Sequence, residues 1–280
     1  MERADELTVT ARRRVPGADA GFVAFQRELA YGGGLLAGGL AYRLFLWLLP
    51  VGLLGAQLLG FWLDANDESV EDAAKEFGIG AAAIASAERA VEASQSNRIL
   101  LVLTGLVFLA WFSLGFVRAL QLAYSLAWGL PRQRLRKPLY AVVLFNGLVL
   151  ALALAGAGLA WLREELGLLG ILGVLLTVAF QTGVGVLVMW LLPRRAERWQ
   201  ELVPGAALVA VGAQAISVAV VFYFAPKIGR STELYGTLGT AAVLLVWLYV
   251  LARLITSGAF LNATLWERRY GSTQRDAPAR

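Results

Sequence analysis

Six long apolar stretches alternate with clusters of charged residues along the chain. Each stretch lacks Asp, Glu, Lys and Arg and is about as long as the ~20 residues that cross a bilayer core as a helix. They are residues 44–63, 99–117, 139–162, 166–192, 202–226 and 234–252. Six such helices in 280 residues would leave too little polar sequence to cover a soluble core. The pattern predicts an all-α, polytopic membrane bundle of six transmembrane helices.

The apolar stretches and their charged flanks divide the chain into segments. We expect a disordered tail over residues 1–18, an interfacial helix over 19–33, a membrane domain over 34–266 and a second tail over 267–280. The predicted spans are about 35–63, 99–128, 139–162, 167–192, 202–225 and 236–263, with an outer loop over 64–98. No internal repeat is convincing enough to predict an inverted-repeat transporter.

Two segments outside the spans also show helical patterns. Phe22, Phe25 and Leu29 recur at helical spacing between polar residues, which predicts an amphipathic helix in the headgroup layer that ends where the chain turns at residues 32–34. In the outer loop, residues 69–94 show apolar stripes interrupted by glycines, which indicates a pair of short helices.

Charge in the connecting segments predicts the orientation. Arginines cluster before the first span and after the second, fourth and sixth, whereas the outer loop is acidic. The positive-inside rule then places both termini in the cytoplasm. The net charge of +5 therefore needs no nucleic-acid partner, because basic inner loops facing anionic lipid account for it.

Small residues and one proline mark the expected packing sites in the spans. Gly34 with Gly38, Gly52 with Ala56, Gly156 with Ala160 and Gly236 with Thr240 have the spacing that lets helices approach closely, and Gly39 lies beside the first of these pairs. Pro50 lies within the first span and should kink it, because its ring clashes with the carbonyl of Leu46.

Three charged side chains remain inside the predicted spans, and all are arginines: Arg43, Arg118 and Arg253. No carboxylate within the spans is available to pair them. Each lies about eight to ten residues from the cytoplasmic end of its span, or roughly 12 to 15 Å deep. They therefore share one predicted layer. Each arginine either snorkels separately to the inner headgroups or faces a cavity inside the bundle.

Polar neighbours accompany these arginines at helical contact spacing. Gln121 follows Arg118 by three residues, and Tyr249 and Ser257 flank Arg253. A cluster of guanidinium groups without carboxylates favours an anionic group over a proton or a metal ion. The sequence therefore predicts a site for an anionic head group at Arg43, Arg118, Arg253, Gln121, Tyr249 and Ser257. Hydrogen bonding between helices is the alternative role of the polar neighbours.

Two segments resemble a known family. The run Gly39-Leu-Ala-Tyr-Arg-Leu-Phe-Leu-Trp-Leu-Leu-Pro50 is similar to the first-span signature of the YihY/BrkB family. The run Tyr235-Gly-Thr-Leu-Gly239, with Trp247-Leu-Tyr249 and Ala259-Phe-Leu-Asn-Ala263, resembles its last span. The resemblance covers about residues 20–270, and it implies a bacterial inner-membrane protein with a suggested role in envelope lipid transport.

The chain departs from the family pattern at two positions. Arg43 stands where the family usually has Tyr, Phe or Ser, and Phe260 stands where it has the Glu of a Gly-Ala-Glu-Leu-Asn motif. The family also carries an old ribonuclease BN label. RNA hydrolysis needs metal-binding carboxylates or a histidine base, and this chain has no histidine. We therefore expect no enzyme, no catalytic residue, no metal site and no cofactor.

The sequence leaves three function classes open. A transporter or flippase-like handler of an anionic lipid or amphiphile would use the arginines to hold the head group. An anion or small-solute channel would use them as a selectivity ring. A structural membrane subunit without transport is the third class. The expected partners are anionic membrane lipids, with a homo-oligomer or an envelope-transport partner protein left open.

Overall fold

The computed structural model is helical over the residues that it describes, which are 16–66, 98–131, 137–166, 170–219 and 225–275. That part of the chain contains seven α-helices, one short 3-10 helix at Trp199–Leu202 and no strand, which confirms the all-α prediction. The α-helices are α1 Pro16–Ala30, α2 Gly33–Asn66, α3 Arg98–Ala127, α4 Pro138–Leu166, α5 Gly170–Leu191, α6 Val203–Ala219 and α7 Ala225–Arg275. The helices predicted within the outer loop lie outside the described residues.

Five helices are long and apolar enough to cross a membrane. These segments are Gly33–Leu58, Ile99–Ala127, Pro138–Gly156, Gly173–Leu191 and Ala241–Gly271. The predicted span at 202–225 corresponds to α6, which has 17 residues and is followed by residues 220–224, outside the described part. A membrane helical bundle is therefore supported, and the sixth span remains a prediction.

The last helix is much longer than the span predicted for it. With 51 residues, α7 extends roughly 76 Å at 1.5 Å per residue, more than twice a bilayer core of about 30 Å. The connection expected at 226–235 is helical, and so is the tail from 267 to 275. Charged residues mark where a chain leaves an apolar phase and do not mark where its helix ends, so the helix continues through both segments. Pro226 is tolerated because it lies in the first turn of the helix.

Residues 1–42 and 117–280 form a first compact unit, and residues 43–116 form a second. Within the first unit α5 packs against α4 and α6, while α7 packs against α6 and α1. Small side chains dominate the interior of this unit; they include Ala37, Ala206, Ala210, Ala252, Ala259 and Ala263. Alanine lets helix backbones approach closely, which favours association where lipid supplies no hydrophobic drive.

Large apolar side chains lie on the outside of the helices. Leu35 is 85% exposed, Leu139 is 77% exposed and Trp111 is 74% exposed. A soluble protein seldom exposes so many large apolar side chains on long helices, because each one keeps its apolar surface in water. Small residues inside and large apolar residues outside are the distribution expected of a multi-pass membrane protein.

The described residues of the second unit belong to α2 and α3. Leu54 packs against Gly105, where a Cβ atom would lie 2.9 Å from Leu54 Cδ2. The helix continues through Pro50, which is buried, and Gln57 is also buried. A kink at Pro50 remains a prediction.

The close helix contacts are not at the glycines that the spacing suggested. A Cβ atom on Gly38, Gly39, Gly52 or Gly156 would meet no atom within 4 Å among the described residues. Among the described residues these glycines are therefore not close helix contacts, because the spacing of small residues does not say which side of a helix meets a neighbour, and close packing at them remains a prediction. Gly236 lies within α7, and its contacts are outside the described part.

The closest crossing in the first unit joins α6 and α7 at Gly205 and Gly258. A Cβ on Gly205 would overlap the Gly258 carbonyl oxygen, and a Cβ on Gly258 would lie 2.8 Å from the Gly205 carbonyl oxygen. Asn262, which is buried, accepts a hydrogen bond from the Gly205 N–H at 2.7 Å and donates to the Leu202 carbonyl at 2.9 Å. The start of α6 thus receives from α7 a partner for an N–H that has none within its own helix.

Reporter fusions test the orientation that the loop charges predict. We expect fusions after Gly129 and Arg198 to report the cytoplasm, and fusions near Ala82 and Lys227 to report the outside, because basic segments remain on the cytoplasmic side. Paired phosphatase and fluorescent-protein reporters measure the two sides independently. A cytoplasmic signal from the Ala82 fusion would reverse the assignment.

Candidate functional site

Arg253 of α7 is paired with a carboxylate from α1. Its Nη1 atom lies 3.2 Å from Glu28 Oε1, and the two side chains are 23% and 1% exposed. Two hydroxyl groups of α7 complete the surroundings of the carboxylate: Thr256 Oγ1 donates to Oε1 at 3.1 Å and Ser257 Oγ donates to Oε2 at 2.8 Å. Both oxygens of the buried Glu28 carboxylate are therefore satisfied, and the charge of Arg253 is compensated.

Helix α1 presents Glu28 to α7 along a face of small residues. Ala20, Ala24 and Glu28 follow one another at four-residue intervals and are all buried. The chain then turns at Gly32, whose φ is +68°, a conformation that favours glycine. A Cβ on Gly33 would overlap Glu28 Cγ, so the turn also needs glycine there for the carboxylate to fold over it.

The expectation that no carboxylate pairs with the arginines was wrong for Arg253. The partner comes from outside the spans: Glu28 lies in the helix before the first span, 225 positions before Arg253 in the chain. The four-residue spacing of Ala20, Ala24 and Glu28 in the sequence could have indicated this pairing. It places the glutamate on the small-residue face of α1 and not on the polar face.

Tyr249 and Ser257, both predicted to flank Arg253, do lie near it. Ser257 contacts the arginine's partner Glu28, as described above. Tyr249 is 40% exposed, and a Cβ on Gly34 would lie 3.6 Å from its hydroxyl oxygen and 3.8 Å from Arg253 Nη1. Gly34 therefore lies beside the arginine, and a Cβ there would make only ordinary van der Waals contacts.

Two further ion pairs join α1 and α7, and both are more exposed. Arg27 Nη1 lies 2.6 Å from Glu267 Oε2, with side chains 19% and 41% exposed. Arg268 Nη2 lies 2.8 Å from Asp19 Oδ2, with side chains 39% and 36% exposed. Exposed pairs of this kind contribute about 0–1 kcal/mol each. The buried Arg253–Glu28 pair is the one that specifies how α1 contacts α7.

Arg43 belongs to the second unit and hydrogen-bonds to backbone. Its side chain is exposed, and Nη1 donates to the Gly115 carbonyl oxygen at 2.8 Å. No ion pair of Arg43 occurs among the described residues. A shared layer of Arg43 with Arg118 and Arg253 remains a prediction.

Arg118 is exposed on α3, and in the described part of the chain its guanidinium has neither an ion pair nor a hydrogen bond. It lies nine residues before the end of α3 at Ala127, roughly 14 Å along the helix axis. Gln121, one turn later, lines a cavity together with Trp190 at the end of α5. Of these three arginines, Arg118 is the one whose guanidinium has neither an ion pair nor a hydrogen bond in the described chain, whereas Arg43 has a hydrogen bond to a backbone carbonyl but no ion pair.

Carboxylates do not gather into a metal site in the described ranges, where no group of three or more His, Cys, Asp or Glu side chains could hold an ion. The acidic residues of the outer loop other than Asp64 lie outside those ranges.

Comparison with known proteins agrees with the helical membrane architecture. The family model described as virulence factor BrkB matches residues 24–280, which is nearly the whole chain. No curated protein and no solved structure matches. The matched region begins within α1 and includes α3 and α7, which carry Arg118 and Arg253. By this match over more than half of its length, the chain belongs to the virulence factor BrkB family, the YihY/BrkB family that its first and last spans resemble.

Proposed function

We propose that this protein handles an anionic lipid or another anionic amphiphile in the bacterial inner membrane, as a transporter or a flippase-like protein. Arg118 carries the proposal, because it is an exposed and uncompensated charge on an apolar helix that is long enough to span the membrane. A charge inside a bilayer costs at least about 2.5 kcal/mol on the more lenient scales, so it is expected to serve a function.

An anionic head group is the partner that suits Arg118 best. A guanidinium binds carboxylate or phosphate through two parallel hydrogen bonds, and Gln121 adds an amide one helical turn away. A lipid supplies such an anion at membrane depth together with an acyl chain for the apolar flanks of α3. A small-solute pore has no comparable need for the exposed apolar surface beside the arginine.

The other two arginines have more restricted roles in this proposal. Arg253 is neutralised by Glu28 and holds α1 against α7. Arg43 retains its charge while one N–H donates to Gly115. We propose that Arg253 positions the N-terminal helix and that Arg43 holds α2 against α3 within the second unit. No enzymatic step is part of the proposal.

Replacing Arg118 by glutamine tests the proposal. The full chain, purified and placed in nanodiscs of phosphatidylcholine with a minor fraction of phosphatidylglycerol, is analysed for bound lipid by native mass spectrometry. We expect Arg118→Gln to weaken phosphatidylglycerol retention about tenfold, as loss of a charge-assisted hydrogen-bond pair implies. Arg118→Lys should retain phosphatidylglycerol better than Arg118→Gln but less well than the unmodified protein, because lysine lacks the planar guanidinium with its paired donors.

Arg269→Gln is the matched control, since it removes one exposed arginine charge near the end of α7. It should leave lipid retention unchanged. Unchanged retention in the folded Arg118→Gln variant would contradict the proposal. Measurements in proteoliposomes separate the remaining function classes. Anion conductance without transfer of labelled lipid would indicate a channel, and the absence of both activities would indicate a structural subunit.

A further inference from the structure

A second group of arginines lies around a cavity of the first unit, at the ends of α3 and α5. The cavity has a volume of about 640 Å³ and is lined by Gln121, Trp190 and the segment 191–197. Two guanidinium groups, Arg194 and Arg195, contribute to its wall, together with the carboxylate of Glu197. The apolar part of the wall comes from Trp190 and the residues between it and Arg194.

Arg194 is oriented by Trp190. Its Cζ atom lies 3.7 Å from the centre of the indole ring, and its Nη1 donates to the Trp190 carbonyl oxygen. Within the described residues its buried Nε has no hydrogen-bond partner. Nη1 donates to backbone and Nε is buried, so Nη2, which has no hydrogen bond among the described residues, is the nitrogen left to donate to a carboxylate or phosphate oxygen.

Charge at this cavity is positive on balance. Neither Arg194 nor Arg195 forms an ion pair within the described chain, and one carboxylate stands against the two guanidinium groups. Arg195 Nη2 donates to the carbonyl of Gly129 at 3.1 Å, which anchors it at the turn that ends α3. Burial lowers the pKa of Arg194, yet a guanidinium stays protonated at neutral pH.

We propose that this cavity binds the phosphate group of an anionic amphiphile, with Arg194 and Arg195 on the phosphate oxygens and Trp190 beside the adjoining apolar part. Two guanidinium groups match a tetrahedral phosphate, which offers more acceptor oxygens than a carboxylate. The position of the cavity just beyond the apolar segment Gly173–Leu191 suits a head group whose chains remain in the membrane. The inference deepens the proposed function and rests on it for a lipid as the source of the phosphate.

The test measures phosphate binding by the full-length protein in nanodiscs. Phosphatidylcholine nanodiscs with and without phosphatidic acid are compared by native mass spectrometry, and inorganic phosphate is titrated in a separate arm. We expect the Arg194→Gln/Arg195→Gln variant to retain phosphatidic acid at least about tenfold more weakly than the unmodified protein. Arg198→Gln, an exposed arginine next to the cavity segment but not lining it, should have no effect.

The single variant Arg195→Gln keeps the test decisive if the double variant does not fold, because Arg195 is exposed and its replacement leaves the Arg194–Trp190 contact in place. It should weaken phosphatidic acid retention while the thermal unfolding midpoint stays unchanged. Unchanged retention in folded Arg195→Gln and in Arg194→Lys would overturn the inference.

Two arms separate the sources of phosphate and the two sites. Competition by inorganic phosphate at the same concentration as the lipid would support the phosphate chemistry with a soluble source, and no competition would support a lipid source. If only the Arg118→Gln variant retains less anionic lipid, the inference that the cavity binds phosphate is overturned and the proposed function stands. If only the Arg194 and Arg195 variants retain less anionic lipid, the role proposed for Arg118 is overturned and phosphate binding in the cavity is supported.

Discussion

Replacing Gly205 with alanine is expected to lower the free energy of unfolding by about 1–3 kcal/mol or more, as overpacking a helix contact does. The added Cβ would overlap the carbonyl oxygen of Gly258 and crowd the Asn262 side chain. Backbone atoms cannot rotate away as a flexible side chain does, so α6 and α7 would have to separate. Separation would also weaken the hydrogen bond from the Gly205 N–H to Asn262.

The matched control is the same substitution at Gly38, where a Cβ would meet no atom within 4 Å among the described residues. Alanine favours a helix over glycine by up to about 1 kcal/mol, so Gly38→Ala should be neutral or stabilising. Unfolding midpoints in detergent, titrated with sodium dodecyl sulfate, measure both variants. Equal tolerance of the two changes would show that α6 and α7 do not cross at Gly205.

Replacing Glu28 with alanine is expected to lower the free energy of unfolding by about 3 kcal/mol, the lower end of the range for one partner of a buried ion pair. The change leaves Arg253 without its counter-charge and Ser257 without its carboxylate acceptor, whereas Thr256 can still donate to the carbonyls of Ala252 and Arg253. The lower end is expected because the Arg253 side chain remains 23% exposed and gains some hydration.

Glu267→Ala is the matched control, because it removes a glutamate from another ion pair between α1 and α7. The Arg27–Glu267 pair is partly exposed, so its loss should cost less than about 1 kcal/mol. A double-mutant cycle with Arg253→Ala measures the coupling, and the double variant should be more stable than the sum of the single losses predicts. Additive losses would indicate that Glu28 and Arg253 are not paired.

Membrane class and the approximate positions of the spans follow from local composition, because a bilayer core of about 30 Å selects any continuous apolar helix of about 20 residues. Arg43, Arg118 and Arg253 were identified in the same way, as charges within such helices. The bounds of α7 could not be predicted so well, since its helix continues past the charged residues on both sides of the predicted span.

Partners distant in the sequence were decided by the tertiary structure. Glu28 lies 228 positions before Thr256, and Asn262 lies 57 positions after Gly205. No local sequence pattern predicts that the members of either pair are in contact. The glycines that allow close packing also depend on which helix face meets a neighbour, so Gly205 and Gly258 are in contact while Gly38 is open.

The sequence by itself thus identified segments that are long and apolar enough to span a membrane and the charges that lie within them, because these properties depend on the composition of one helix at a time. The tertiary structure alone decided which of those charges are compensated. Arg253 meets a carboxylate brought by α1, whereas Arg118 meets no partner in the described chain. Ion pairing depends on distances of a few ångströms between side chains of different helices, and only the packing of those helices sets such distances.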